Sequence, residues 1–220
     1  MKKPKIFIAC DTTNLDKVRK IIRETQNSKL LFGYKFGLEL LNSKNGRKFV
    51  ANLKNKVTFG DYKLADIPNT CSSAIKAVKD LRLNYITIHI SSGFKAIKAA
   101  KKVSGKSKLV GVSILTSLDN KSLKEIGFSI NVKRLVLQQA RLAKKAKLDA
   151  LVCSPHEVNR VKKIFKKEVI TPGIRFGKNT HDQKRTMHPN KVNSDWLVVG
   201  RSLTNGNIKN NLKKLIKSLK

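Results

Sequence analysis

Eight short β-like runs alternate with amphipathic helical runs along the 220 residues, and this alternation limits the possible folds more than any other feature. The strand candidates are Lys5–Asp11, Leu30–Phe36, Val57–Lys63, Asn84–Ile90, Lys108–Leu115, Asp149–Cys153, Glu168–Thr171 and Trp196–Val199. Helical periodicity falls near Leu15–Thr25, Leu38–Leu53, Asn69–Leu81, Phe94–Val103, Val132–Lys147, Pro155–Phe165 and Asn207–Leu219. Between strands seven and eight, Asp182–Met187 offers a further helix start within a stretch that otherwise reads as loop. Strand–helix–strand repetition implies parallel pairing through right-handed crossovers. Eight such units predict an α/β chain of the (β/α)8 TIM-barrel class, one domain over residues 1–220, with its active site at the C-terminal strand ends. An open doubly wound sheet is the competing arrangement. Against it, no Gly-x-Gly-x-x-Gly or Walker-type loop follows the first strand.

Composition narrows the function classes. No apolar run approaches the roughly 18–20 residues of a membrane span. The start, Met1-Lys2-Lys3-Pro4-Lys5, is basic, but the five apolar residues Ile6–Cys10 end on Asp11, a poor match to a signal peptide. Cys10, Cys71 and Cys153 are odd in number and widely spaced, which argues against disulfides or a zinc site and for a reducing, cytoplasmic compartment. The formal net charge of +34 invites a nucleic-acid partner, yet its distribution argues otherwise. Lys209, Lys213, Lys214 and Lys217 lie opposite Ile208, Leu212, Leu215, Ile216 and Leu219 at helical spacing. Lys162, Lys163, Lys166 and Lys167 lie likewise opposite Val158, Val161, Ile164 and Phe165. These read as solvated outer faces of amphipathic helices. Aromatic residues, at 6%, do not interleave with the basic ones to make a stacking platform.

Only 14 carboxylates exist, so their positions carry information. Asp11 ends strand one, Lys35 ends strand two, and Asp61, Lys63 and Asp66 cluster at the end of strand three. Residues i and i+2 of a strand share a side, which brings Asp61 and Lys63 into the barrel mouth together. An ion pair closing the barrel top would account for one such pair. Three strand ends converging on Lys and Asp point instead to a charge array of Lys35, Asp61, Lys63 and Asp66 with its lysines held protonated. Such a lysine is poorly suited to Schiff-base chemistry and well suited to protonate a carbanion.

A second constellation lies near the C-terminus. Thr171-Pro172-Gly173-Ile174-Arg175 ends strand seven, Asp182-Gln183-Lys184-Arg185 follows in a polar loop, and Val199-Gly200-Arg201 ends strand eight. Barrels bind phosphate at these loops through backbone N–H groups, a glycine and a helix N-terminus. Arg175, Gln183 and Arg201 would add side-chain donors, whereas Lys184 and Arg185 fit an ordinary basic surface. Thr116 and Ser117 end strand five with hydroxyls. His89 ends strand four and serves equally well as a hydrogen-bonded core histidine. Cys153 fits a small buried hydrophobe, and His156, His181 and His188 share no metal-ligand spacing.

The run Asp61-Tyr62-Lys63-Leu64-Ala65-Asp66-Ile67-Pro68-Asn69-Thr70 resembles the Asp-x-Lys-x-x-Asp-Ile-Pro-Asn-Thr signature of the orotidine 5′-phosphate decarboxylase family. The resemblance extends over nearly the whole chain, through Asp11, Lys35, Leu115-Thr116-Ser117, Val152-Cys153-Ser154, Thr171–Arg175, Asp182-Gln183 and Val199–Arg201 in the expected order. It implies a lyase converting orotidine 5′-monophosphate to UMP in pyrimidine biosynthesis, with no metal or organic cofactor. Lys63 would protonate C6 of the pyrimidine, and Asp61 would sit against the substrate carboxylate. Lys35 and Asp11 would hold ribose hydroxyls and orient the array, and Thr116 would contact the pyrimidine. Arg175, Gln183, Gly200 and Arg201 would bind the phosphate or close over it. The resemblance also implies a homodimer in which Asp66 and Thr70 complete the neighbour's site.

One departure from the family pattern is Ser202-Leu203-Thr204-Asn205-Gly206-Asn207, where many relatives carry an Ala-x-Asp-Pro-like helix start. Asn caps helices as Asp does, so a changed cap is expected there. Metal-dependent sister enzymes on the same barrel, such as 3-keto-gulonate-6-phosphate decarboxylase and hexulose-phosphate synthase, carry a Glu where this chain has Lys35. An ammonium at that place cannot ligate a cation.

Overall fold

The computed structural model describes residues 4–176 and 185–219. Its eight strands are β1 (Lys5–Ala9), β2 (Phe32–Gly37), β3 (Val57–Leu64), β4 (Tyr85–His89), β5 (Lys108–Val112), β6 (Ala150–Val152), β7 (Glu168–Thr171) and β8 (Trp196–Val199). They pair in chain order, all parallel, and β8 returns to β1 to close the barrel. Around it run α1 (Leu15–Thr25), α2 (Leu38–Leu41), α3 (Gly46–Ala51), α4 (Pro68–Ala77), α5 (Gly93–Val103), α6 (Asn120–Glu125), α7 (Val132–Lys145), α8 (Val158–Phe165), α9 (Arg201–Thr204) and α10 (Ile208–Ser218). The (β/α)8 expectation is met.

Strand alternation builds two cores. Ile6 and Ile8 of β1 face the helices, while Phe7 and Ala9 face the barrel axis. In β8, Leu197 and Val199 face out, whereas Trp196 and Val198 face in. The period of two thus divides each strand between an outer layer under the helices and an inner column. Phe7, Phe59, Tyr85 and Trp196 fill the lower part of that column, with Phe7 stacked on Trp196 at 3.9 Å between ring centroids. Beneath them the Glu168 carboxylate takes Lys5 at 3.1 Å, Lys108 at 2.7 Å and the Tyr85 hydroxyl at 2.9 Å. The barrel is therefore plugged at its N-terminal end and opens at the other.

The helices follow their sequence signals. Asn14 caps α1 by accepting from Lys17 N, and α1 buries Val18, Ile21, Ile22 and Thr25. Asn207 caps α10 through Asn210 N, the changed cap expected after Gly206. Lys209, Lys213, Lys214 and Lys217 lie on α10 outside its buried face, which is made by Ile208 and Leu215, as anticipated for a solvated lysine stripe. The continuous helix expected over Leu38–Leu53 is corrected to α2 and α3. The chain folds back between them so tightly that a Cβ on Gly46 would lie 1.8 Å from Leu40 O. The first half of the helix start read at Asp182–Met187, residues 182–184, lies outside the described residues. Met187 itself forms a parallel bridge with Ile174.

Candidate active site

At the C-terminal end of the barrel a cavity of about 440 Å³ opens among the strand ends. Asp11, Lys35, Asp61 and Lys63 line one side, Leu115 and Thr116 another, and Gly173, Arg175, Gly200 and Arg201 a third. Ala9, Phe59, Val112, Val152 and Val198 contribute apolar wall. Of the residues singled out from sequence, the cavity brings these together. Asp66 and Thr70 do not line it within this chain. Gln183 lies outside the described residues.

The charged side is a chain of alternating signs. Lys35 Nζ lies 3.0 Å from Asp11 Oδ1 and 3.2 Å from Asp61 Oδ2, and Lys63 Nζ lies 2.8 Å from that same Asp61 oxygen. Lys35 is 9% exposed and Asp61 8% exposed, so two opposite charges are largely removed from water. Burial alone would lower the Lys35 pKa, but the Asp61 and Asp11 carboxylates outweigh it and raise the ammonium above its usual range. Burial likewise pushes the Asp61 carboxyl up, and the two neighbouring lysines more than reverse that, holding it below the usual carboxylate range. Gly37 makes room for the pairing, since a Cβ there would stand 2.9 Å from Asp11 Oδ1.

The local backbone explains how Lys63 reaches Asp61. Regular alternation predicts that they share a side; instead β3 bulges against β4, its pairing jumping from Gly60↔Ile86 to Leu64↔Ile88. Lys63 sits in the left-handed region at φ 50°. Its N–H, displaced from the ladder, donates to Thr87 Oγ1 at 2.7 Å, and that hydroxyl donates to Asp61 Oδ1 at 3.2 Å. Thr87, fully buried on β4, escapes the sequence reading, because nothing in the run Tyr85–His89 marks one threonine as the support of a lysine on the preceding strand. His89 is half-buried, and its imidazole pKa is lowered by burial and then by the Lys63 charge.

Asp66 is exposed and accepts from Ile67 N at 2.7 Å, so the array within one chain is completed by Asp11 rather than by Asp66. Ala65 through Thr70 are all exposed, Ile67 by 66%. Cys153 is buried, and its thiol is pushed up by burial, as suits a packing residue. Arg185 corrects its reading as surface. Its guanidinium pairs with Glu157 at 3.0 Å, and the side chain is only 12% exposed.

On the side formed after β7 and β8, Gly173 adopts φ +78° and lies under the returning chain, where a Cβ would meet Arg185 O at 2.7 Å. Arg175 N donates to Met187 O at 3.1 Å and Met187 N to Gly173 O at 3.0 Å. Gly200 and Arg201 stand at the start of α9, directly after β8. Two cationic side chains and a helix start therefore face the cavity from the loops after β7 and β8, on the β1 side of the Lys–Asp array. The arrangement suits an elongated anionic ligand with a phosphate at one end and reacting atoms at the other.

The chain is similar to known proteins in both sequence and fold. A protein named orotidine 5′-phosphate decarboxylase from Wolbachia sp. subsp. Brugia malayi (strain TRS) is 38% identical over 220 residues, covering 96% of each chain. One of the same name from Carboxydothermus hydrogenoformans is 38% identical over 216 residues, covering 90% of this chain and 88% of its own. Among solved structures, orotidine 5′-phosphate decarboxylase from Lactobacillus acidophilus superposes with a TM-score of 0.81 at 28% identity over 99% of both chains. The Methanocaldococcus jannaschii orotidine 5′-monophosphate decarboxylase, solved with the inhibitor BMP, gives 0.79 at 25% identity, also over 99% of both. The sequence model of one family matches residues 4–214, and the chain belongs to that family, orotidine 5′-phosphate decarboxylase / HUMPS.

Proposed function

We propose that this barrel, as a single domain over residues 1–220, decarboxylates orotidine 5′-monophosphate to UMP in cytoplasmic pyrimidine biosynthesis without metal or organic cofactor. The observation that carries the reading is the Asp11–Lys35–Asp61–Lys63 array at the cavity mouth. In this reading the C6–carboxylate bond breaks with its electron pair left on C6, and carbon dioxide departs. The Lys63 ammonium, fixed by Asp61, faces the developing charge and then delivers a proton to C6. Asp61 stands beside the departing carboxylate. Lys35 and Asp11 orient the array and hold ribose hydroxyls, and Thr116 contacts the pyrimidine. Arg175, Gly200 and Arg201, with Gln183, take the phosphate, whose binding energy holds the ring in register with Lys63. Lys35 also favours this reading over the metal-dependent chemistry of sister enzymes, since its ammonium stands at the array and cannot bind a cation.

The functional unit in this reading is a homodimer with shared sites. It is supported by the exposed run Ala65–Thr70 beside the mouth, in which Asp66 and Thr70 stay outside the cavity of their own chain. Three free, buried cysteines support a reducing compartment.

The test is the absorbance change of orotidine 5′-monophosphate with purified protein in excess EDTA. Conversion to the UMP spectrum is expected, and Lys63→Ala abolishes it while leaving UMP binding largely intact. A folded wild type without turnover refutes the reading, and a near-normal Lys63→Ala refutes the role of that lysine. Mixing inactive Asp66→Ala and Lys63→Ala dimers restores partial activity once subunits exchange; no recovery despite verified exchange rules out shared sites.

A further inference from the structure

The connection from β7 returns to the barrel at Arg185, and the side chain of this one residue is bonded to two other loops. Its Nη1 donates to both Glu157 carboxylate oxygens, at 3.0 Å each. Its Nη2 donates to Ile114 O at 3.2 Å and to Leu115 O at 3.0 Å. Glu157 belongs to the loop after β6 and is 3% exposed. Ile114 and Leu115 follow β5 and lead directly into Thr116 at the cavity. Two residues beyond Arg185, Met187 is hydrogen-bonded on both sides to Gly173 and Arg175, which line the same cavity after β7.

The chemistry of the contact is specific to arginine. A planar guanidinium fork can hold a carboxylate from one terminal nitrogen and two carbonyls from the other, fixed in one plane, whereas an ammonium is a point charge without that geometry. The carboxylate is needed because a buried guanidinium otherwise stands unneutralised. Resting on the decarboxylase reading above, we propose that Arg185 is a positioning residue for the reaction. By fastening Ile114 and Leu115 to Glu157 it sets where Thr116 stands against the base, and through Met187 it ties that placement to the Gly173–Arg175 wall that takes the phosphate. Loop placement at two parts of the cavity then depends on one largely buried side chain that does not itself line it.

The test compares Arg185→Ala, Arg185→Lys and Glu157→Gln in the intact protein, by turnover of orotidine 5′-monophosphate and by hydrogen exchange over residues 113–119. Folded Arg185→Ala is expected to lose about 100-fold in kcat/KM, the scale of an ångström-level misplacement. Exchange over 113–119 becomes faster. Millimolar guanidinium chloride recovers about tenfold of the loss and methylammonium does not, because only the former restores the fork. A cavity of about 380 Å³ beside Glu157 and Arg185 gives the added cation access. Arg185→Lys recovers less than added guanidinium does. A residue needed only for folding would lower the melting temperature and leave the kinetics of the folded fraction unchanged. The proposal is overturned if folded Arg185→Ala stays within about threefold of wild-type kcat/KM, or if guanidinium recovers nothing. Should Arg185→Ala fail to fold, Glu157→Gln decides, with a loss of about tenfold supporting the proposal and unchanged kinetics and exchange overturning it. If the wild type itself does not turn over orotidine 5′-monophosphate, the decarboxylase reading falls. Exchange alone then judges the staple, and an unchanged rate over 113–119 in the variants overturns it.

Discussion

Replacing Asp61 by Asn probes the centre of the charge array while keeping its shape. Asp61 Oδ2 is 3.2 Å from Lys35 Nζ and 2.8 Å from Lys63 Nζ. At an effective dielectric constant of about 20 the first contact is worth roughly 5 kcal/mol of attraction before desolvation is counted. The second is discounted to about 1 kcal/mol because the Lys63 side chain is 36% exposed and screened by solvent. The introduced amide oxygen can still accept from Thr87, so the variant leaves the buried Lys35 ammonium with Asp11 alone and facing Lys63. Removing one partner of such a buried pair costs about 3–5 kcal/mol, the destabilisation expected at pH 7. Because the folded Asp61 pKa is depressed, its contribution is present above the ordinary carboxylate range and is lost as pH falls through the folded value. The gap between wild type and variant therefore shrinks on acidification. Urea unfolding followed by circular dichroism at pH 7 and at successively lower pH measures both effects, with equal m-values required. A loss below about 1 kcal/mol at pH 7, or a gap indifferent to acid, refutes the account of Asp61 as the charge that keeps Lys35 buried.

Gly173→Ala forces a methyl-bearing residue into φ +78° against Arg185 O, so a loss of about 1–2 kcal/mol or more is expected from backbone strain alone. KM for the phosphorylated substrate rises more than kcat falls, as steady-state kinetics would register. Glu168→Gln removes the carboxylate that binds Lys5, Lys108 and Tyr85. Burial raises the Glu168 pKa but the hydrogen bonds from Lys108, Lys5 and Tyr85 outweigh it. Its stabilisation, about 1.5–3 kcal/mol, is thus present at neutral pH and lost in acid, visible as melting curves of wild type and variant that converge as pH falls. Phe7→Ala empties the middle of the aromatic column and costs about 3–5 kcal/mol by chemical denaturation, with little effect on the mouth.

Much of this molecule is written in local pattern. The helix read over Leu15–Thr25 has those bounds, because Asn14 caps it and its apolar spacing is regular. The residues of the charge array are legible because carboxylates are rare in the chain and fall at strand ends. Where local signals compete, the reading fails. Asn42 and Asn45 lie inside a helical periodicity, and tertiary closeness at Gly46 decides for a break. The helix Asn120–Glu125 is absent from the sequence reading although Asp119 caps it through Ser122 N, a signal that the residues carry. Arg185 differs in kind: its partner Glu157 lies 28 residues away, and a basic residue in a polar run carries no mark of burial. Thr87 is similar, since its importance comes from a bulge in a neighbouring strand.

Trp196 is the only tryptophan in the chain, and it sits 2% exposed in the barrel floor, stacked on Phe7 with Lys5 4.9 Å from its ring centroid. Tryptophan emission of this protein therefore comes from a single, blue-shifted indole located where β8 meets β1, the seam that closes the cylinder. Red-shifted emission on heating or in denaturant reports the opening of that seam. Phe59 lines the cavity and Trp196 does not, so ligands entering above make no contact with the indole. The indole thus follows unfolding from the barrel floor, while a substrate chromophore follows events at the mouth.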